Sequence, residues 1–140
     1  MSMFYYIDPE VAGSFGEKSI IDSSFHPPKV LKMHYEFDGW MGGELLEYFS
    51  SYIVSENLKN ILINSELTGA TIVDAIVSKS SNFEESNPEI LLPKFYWLQV
   101  TGKAGVDDIG ISNDYRLVVS KKILKLLKAV DLGDVLIEDV

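Results

Sequence analysis

The sequence contains no cysteine among its 140 residues. This absence excludes disulfide frameworks, thiolate zinc sites, iron–sulfur ligation and a cysteine nucleophile. Basic residues are also scarce: 12 Lys and Arg stand against 21 Asp and Glu, which gives a net charge of −9. A generic nucleic-acid binder needs a basic face to displace counterions from phosphates, so this balance argues against DNA or RNA as a partner. It favours solubility and leaves open a partner with a basic surface.

Long apolar runs are missing as well, since none approaches the ~18 residues that a membrane-spanning helix requires. Asp8 and Glu10 come before the first lysine, Lys18, so the start of the chain lacks the cationic region of a signal peptide. These features predict a cytoplasmic protein that does not bind a membrane.

The chain nevertheless has ample material for a core, because 46% of its residues are hydrophobic and 11% are aromatic. A chain of this length and composition is expected to fold as one domain. Within it we expect an N-terminal strand and turn over 1–27, a first half-repeat over 28–77, a linker rich in Ser, Asn and Glu over 78–88, and a second half-repeat over 89–140.

The two half-repeats are related by a shift of 65 residues. Ile53-Val54-Ser55 recurs as Val118-Val119-Ser120, and Pro28-Lys29 recurs as Pro93-Lys94. Apolar positions of a following helix keep the same register, and after one deletion Gly69 meets Gly133. We interpret this shared order of apolar positions and turn residues as an internal repeat.

Each half predicts a strand, a long loop, a helix and a second strand. Ser55 and Ser120 stand where a helix N-cap belongs, because a serine hydroxyl accepts a hydrogen bond from an unpaired amide of the first turn. Gly69 and Gly133 are expected in the helix-to-strand turns. The prediction is therefore an α+β fold: two β-loop-α-β half-repeats forming a mixed or antiparallel sheet, with the helices packed on one face.

The first strand of each half has its own pattern. Over residues 31–37 apolar residues alternate with Lys32, His34 and Glu36, which predicts one buried face and places these three side chains outward. Its expected counterpart over residues 95–100 is richer in aromatics and alternates less, so it is predicted to be covered on both faces.

Residue types that carry catalysis do not form a recognised pattern. Residues 13–19 resemble a phosphate-binding loop, but Ala12 and Glu17 stand where that motif requires glycine. His26 and His34 are the only imidazoles and lack the spacing of metal ligands or of a catalytic triad. We therefore expect no enzymatic activity and no cofactor.

Carboxylates are concentrated in the two long loops, which the repeat places at the same end of the domain. Trp40 lies among the glycines of the first loop, and its ring either plugs that loop or forms an exposed anchor for a partner. The acidic loops are either simply solvated, or bind a divalent ion through Asp107 and Asp108, or meet a basic protein. The residues predicted to contact such a partner are Asp38, Trp40, Glu44, Glu47, Asp107, Asp108 and Asp114.

The doubled arrangement of strand, loop, helix and strand resembles the immunity proteins of bacterial polymorphic-toxin and contact-dependent growth inhibition systems. The segments that carry this resemblance open the two helices, Tyr52-Ile53-Val54-Ser55-Glu56 and Leu117-Val118-Val119-Ser120-Lys121. The resemblance implies a cytoplasmic protein that binds a cognate toxin domain and blocks its active site without catalysis. The alternative is a domain that uses loop carboxylates to bind a small molecule or a divalent ion, either for binding alone or for an enzymatic reaction. A monomer or a weak homodimer is expected in either case.

Overall fold

The computed structural model describes residues 3–140; Met1 and Ser2, which begin the segment predicted over 1–27, lie outside the described residues. The described elements, in chain order, are β1 (Phe4–Asp8), β2 (Gly13–Phe15), β3 (Ile20–Asp22), β4 (Lys29–Lys32), β5 (His34–Phe37), β6 (Leu45–Tyr48), β7 (Ser51–Ser55), α1 (Glu56–Asn64), β8 (Ala70–Asp74), β9 (Ile76–Lys79), α2 (Ser81–Ser86), β10 (Phe95–Val100), β11 (Ile109–Ile111), β12 (Leu117–Ser120), α3 (Lys121–Leu127) and β13 (Leu136–Asp139).

These elements confirm the predicted α+β class, but the strands form several small sheets and not one sheet. Sheet A has the order β11-β12-β1-β13, and sheet B has the order β6-β7-β10-β8. Sheet C has the order β2-β5-β9, and β3 pairs with β4 in a separate ladder. The strand pairs are antiparallel except for β5 and β9, which run parallel.

The larger of two hydrophobic cores lies where sheets A and B meet helices α1 and α3. Tyr52 and Val54 face it from β7, Leu58 and Leu62 from α1, and Ile123 from α3; each is at most 2% exposed. The apolar stripe of each helix is therefore buried against the sheets, which is the main reason that such short helices are stable.

The second core lies on the opposite face of sheet B, where sheet C and helix α2 cover it. Ile53 and Phe95 face this core, together with Tyr35 and Phe37 from β5 and Phe83 from α2. Successive residues of a strand point to opposite faces. The inner strands of sheet B, β7 and β10, are therefore covered on both sides over most of their length, as the aromatic pattern over residues 95–100 predicts for β10, whereas the edge strand β8 is largely exposed.

All three helices begin with a serine cap. Ser55 accepts a hydrogen bond from the amide of Leu58, and Ser120 accepts one from the amide of Ile123, which confirms both predicted N-caps. Ser80 caps α2 in the same way, through the amide of Phe83. Residues 78–88, predicted as a linker from their composition, therefore contain the end of β9 and a helix.

Replacing Ser55 by alanine should lower the free energy of unfolding by about 1–2 kcal/mol, because the amide of Leu58 would lose its partner inside the protein. Ser55 is 1% exposed, so water does not substitute easily. Urea unfolding monitored by circular dichroism measures the change, and Ser23→Ala in an exposed turn is the control. Equal midpoints for the two variants would contradict this role.

The structure corrects one part of the predicted repeat. Residues 31–37 do not form one strand equivalent to β10: the chain divides at Met33, β4 pairs with β3, and Leu31 is 54% exposed. The equivalent of β10 is β1. Strand β1 lies between β12 and β13 in sheet A, as β10 lies between β7 and β8 in sheet B. Strand β10 of the second half thus completes the sheet of the first half, and β1 of the N-terminal segment completes the sheet of the second half.

No helix within residues 3–140 is long and apolar enough to cross a membrane.

Candidate partner-binding surface

The seven residues predicted to contact a partner do not form one cluster. Two of them, Glu44 and Asp108, hold the serine caps of helices α1 and α3. Ser55 donates its hydroxyl hydrogen to Glu44 Oε1 at 2.7 Å, and Ser120 donates to Asp108 Oδ1 at 2.8 Å. The two carboxylates occupy equivalent places in the repeat, since each also accepts the amide of its serine through its own main-chain carbonyl.

Asp108 is further fixed by groups from two other segments. Its carboxylate accepts the amide of Thr68 at 3.1 Å and lies 3.4 Å from the ammonium of Lys122. Burial opposes ionisation of Asp108, but the hydrogen bonds from Ser120, Thr68 and Lys122 outweigh it and lower the pKa. Because the pKa is lowered in the folded state, Asp108 stabilises the fold at neutral pH, and this contribution is lost as the pH falls through that pKa.

Two further carboxylates brace their own loops. Asp107 accepts the main-chain amide of Lys103 at 2.7 Å, and Asp114 accepts the hydroxyl of Ser112 in the turn between β11 and β12. Within residues 3–140 there is no group of three or more His, Asp and Glu side chains arranged to hold a metal ion.

Asp38 and Trp40 lie together, in what we call the acidic groove: an open depression of about 540 Å³ lined by residues 10–14, 36 and 38–41. Glu36 lies on β5 and points to the face opposite buried Phe37, and Asp38 follows directly after the strand. No cation pairs with either carboxylate among the described residues.

Trp40 closes the base of this groove and does not stand free. Its indole Nε1 donates to the carbonyl of Gly43 at 2.9 Å, and its ring packs edge-on against Phe37 and Phe95, with centroid separations of 6.5 and 6.1 Å. The ring is half-buried. Trp40 therefore plugs the loop and also offers its remaining surface to the groove.

Apolar side chains stand at the edge of the same groove. Met41 is 73% exposed and Val11 is 61% exposed, and both line it. Exposed apolar groups beside carboxylates that lack a cationic partner are typical of a protein-binding surface, where apolar contact supplies affinity and charge supplies specificity.

Glu10 shapes this groove from below, and sequence reasoning missed it. It is 3% exposed, and its carboxylate accepts the amides of Met41 at 2.7 Å and Gly43 at 3.0 Å. A Cβ at Gly133 would lie 2.0 Å from Glu10 Oε1, so glycine is required there. The sequence signal for this contact is the presence of glycine at 42, 43 and 133. Glycine indicates that another group lies close to the backbone, but not which side chain it is.

His34 is buried at 5% exposure, so the prediction that it points to solvent was wrong. The loop after β2 folds over it: Gly16 packs against the imidazole ring, and the amide of Lys18 donates to Nδ1 at 3.1 Å. On the far side Nε2 lies 2.7 Å from Ser78 Oγ. The alternation of apolar and polar residues along the strand indicates which face of the strand His34 lies on. It does not indicate that a loop covers that face.

The direction of these hydrogen bonds decides what the His34–Ser78 pair does. Because Nδ1 accepts the amide of Lys18, the neutral ring carries its proton on Nε2 and donates it to Ser78. A serine nucleophile needs the opposite arrangement, in which Nε2 accepts the hydroxyl proton. His34 therefore fastens the loop and does not activate Ser78.

Replacing His34 by phenylalanine should keep the packing on Gly16 but remove both ring hydrogen bonds. We expect a loss of about 1–3 kcal/mol in the free energy of unfolding, because the amide of Lys18 would then be unpaired. Chemical denaturation of H34F and of S78A, which removes only one of the two bonds, measures the effect. A larger loss for S78A than for H34F would contradict the assignment.

Comparison of the sequence with protein-family models and with curated proteins, and of the fold with solved structures, gave no match.

Proposed function

We propose that this chain is an immunity protein, which binds a cognate bacterial toxin domain in the cytoplasm and blocks its active site without catalysis. The acidic groove is the observation that best supports this proposal. There Glu36 and Asp38 have no cationic partner among the described residues, and the exposed side chains of Val11 and Met41 lie beside them. A toxin whose active site is lined by basic residues is the partner that such a groove fits.

The physical basis of inhibition is charge and shape together. With a net charge of −9, the protein attracts a basic surface over a distance of about one Debye length, roughly 8–10 Å at physiological salt, and so speeds the encounter. Once the surfaces meet, the carboxylates take the place of the substrate's negative charge, while Met41 and Val11 exclude water around the ion pairs. Binding and occlusion are then one event.

The groove is also suited to rapid binding because its parts are already fixed. Glu10 ties down the loop that carries Met41, and Trp40 anchors the same loop to the second core. A preformed surface loses less conformational entropy on binding than a flexible loop would.

The test is co-expression of the chain with the protein encoded immediately upstream of it, followed by affinity purification. We expect the chain to recover that protein in a stoichiometric complex and to protect the producing cells from it. Growth arrest that the chain does not relieve, with no complex recovered, would refute the proposal. The variant Glu36→Lys separates protection through the groove from an unrelated effect of expressing an acidic protein.

A further inference from the structure

The turn between β6 and β7 is held in a backbone conformation that its residues disfavour. Phe49 and Ser50 have φ angles of 52° and 59°, in the left-handed region where glycine and asparagine are preferred. Phe49 also exposes 56% of its surface. A bulky residue keeps such a conformation only when its surroundings impose it.

The β6–β7 hairpin imposes it, since Tyr48 pairs with Ser51 around this two-residue turn, and two further contacts reinforce it. Glu47 Oε2 accepts the main-chain amide of Ser50 at 3.3 Å, which closes the turn from the inner side. Ser50 Oγ donates to the carbonyl of Tyr115 at 3.1 Å and so joins the turn to the tip of the β11–β12 hairpin. Tyr115 itself has a φ of 63° and exposes 42% of its surface. We call the exposed residues Phe49 and Tyr115 the aromatic tip.

The carboxylate that closes the turn lies among groups that disfavour its charge. Burial raises the pKa of Glu47; the amide of Ser50 acts in the opposite sense, and the nearby negative charge of Asp8 adds to the rise. Asp8 is itself paired with Arg116 at 3.2 Å, so Arg116 is already engaged by another carboxylate.

A hydroxyl without a partner faces the same region. Tyr52 is the residue opposite Glu47 on the neighbouring strand, so their side chains share a face of sheet B. Its hydroxyl is the one buried side-chain polar atom in the described part of the chain that has no hydrogen-bond partner. The hydroxyl of Tyr52 therefore does not stabilise the ionised carboxylate of Glu47.

The remaining ionisable neighbours do not neutralise Glu47. Tyr35 donates its hydroxyl to the main-chain carbonyl of Glu47, and burial raises the pKa of Tyr35 to about 12, so it remains a neutral donor. The carboxylate of Glu10, whose own carbonyl accepts the amide of Glu47, is turned toward the amides of residues 41 and 43.

We propose that Glu47 is a proton-binding switch that fixes the aromatic tip when ionised and releases it when protonated. The proton comes from solvent and adds to the carboxylate. The neutral carboxyl accepts the amide of Ser50 more weakly, because hydrogen bonds to an ionised acceptor are about twice as strong. With the inner contact weakened, the strained turn relaxes and Phe49 and Tyr115 become mobile.

The sign of the stability effect follows from the direction of the shift. A carboxyl whose pKa is raised by folding binds its proton more tightly in the folded state, so its contribution to stability is present at low pH and is lost as the pH rises through that pKa. Replacement of Glu47 by glutamine, a neutral isostere, should therefore not destabilise the protein at neutral pH, although it should loosen the turn.

The test is a nuclear magnetic resonance pH titration of the wild-type protein, following the Glu47 side-chain carboxyl carbon and the amide of Ser50. We expect both to titrate together, at a pH above the usual range for glutamate, and the ring of Phe49 to respond. The ring of Tyr115 is not used as a readout, because the imidazole of His26 packs edge-on against it at 5.5 Å. In E47Q the Ser50 amide should stay at its low-pH position throughout. The control is E85Q, which removes an exposed carboxylate from α2 and should leave the transition unchanged.

Two outcomes would overturn the switch. One is a Glu47 carboxyl that titrates in the ordinary range in the wild-type protein; the other is a Ser50 amide that still titrates in E47Q. Both are read on the chain alone, so they decide this proposal independently of whether a toxin partner is found.

Discussion

Replacing Glu36 by lysine is expected to weaken binding to the toxin partner by about 100-fold, or ~2.7 kcal/mol, because a basic surface would then meet a cation in the acidic groove. Glu36 is the position best suited to this change. Its side chain makes no hydrogen bond or ion pair within the described chain, whereas Asp38 holds the capping hydroxyl of Ser80 at 2.7 Å. The substitution therefore changes recognition with little effect on folding.

The matched control is Asp139→Lys, which changes the net charge by the same amount. Asp139 is exposed on β13, the edge strand of sheet A, whereas the groove lies at sheet C. Titration calorimetry of both variants against the toxin domain should show a large loss for E36K and a small one for D139K. Equal losses would mean that only overall charge matters, and the groove would not be the binding surface.

Replacing Gly69 by alanine should destabilise the fold by about 3 kcal/mol or more, since two costs combine. The residue has a φ of 92°, which an alanine adopts only under strain. The added Cβ would also lie 2.0 Å from the main-chain carbonyl oxygen of Ile109, so backbone would have to move. That movement would disturb the amides of Thr101 and Gly102, both of which donate to the carbonyl of Gly69 at 2.8 Å.

A substitution at Gly105 measures the conformational cost without the steric one. Its φ is 79°, but a Cβ there would meet nothing within 4 Å. Gly105→Ala should therefore show the conformational cost alone, on the order of 1 kcal/mol. Thermal and urea unfolding of both variants measure the difference. If G105A were as unstable as G69A, the close approach of the 68–69 turn to β11 would not contribute.

The local features of this fold were predictable because their physical causes are local. A serine before an apolar stripe caps a helix wherever it lies, so Ser55 and Ser120 were identified before the structure was known. Gly69 and Gly133 both have positive φ angles in the turns predicted for them. The same signal exists at Ser80, but the polar composition of residues 78–88 outweighed the one apolar residue, Phe83, that buries α2.

Strand partners were not predictable, because pairing is a long-range property. Strand β1, one of the two inner strands of sheet A, comes from residues 4–8, more than a hundred residues before β12 and β13. Sequence similarity at a fixed shift cannot show that β1 inserts between β12 and β13, or that β10 inserts between β7 and β8. The alternating pattern over residues 31–37 does not reveal the break at Met33 either, because apolar and polar residues alternate on both sides of it.

The candidate surface was predictable only in part, for a similar reason. Acid content and a tryptophan identified Asp38 and Trp40, which the fold does bring together. Glu44 and Asp108 have the same composition signal but do not line the groove. Their oxygens hold helix caps, as one oxygen of Asp38 also does. Glu36 was not predicted as a partner-binding residue, because a single acidic residue in an alternating strand does not indicate that a groove lies beside it.

Titration calorimetry of the unmodified chain against the protein encoded upstream tests whether the acidic groove binds a basic toxin domain. We expect a one-to-one complex whose affinity falls steeply with added salt, as binding between opposite charges does. No heat of binding, or an affinity that neither salt nor E36K changes, would contradict it.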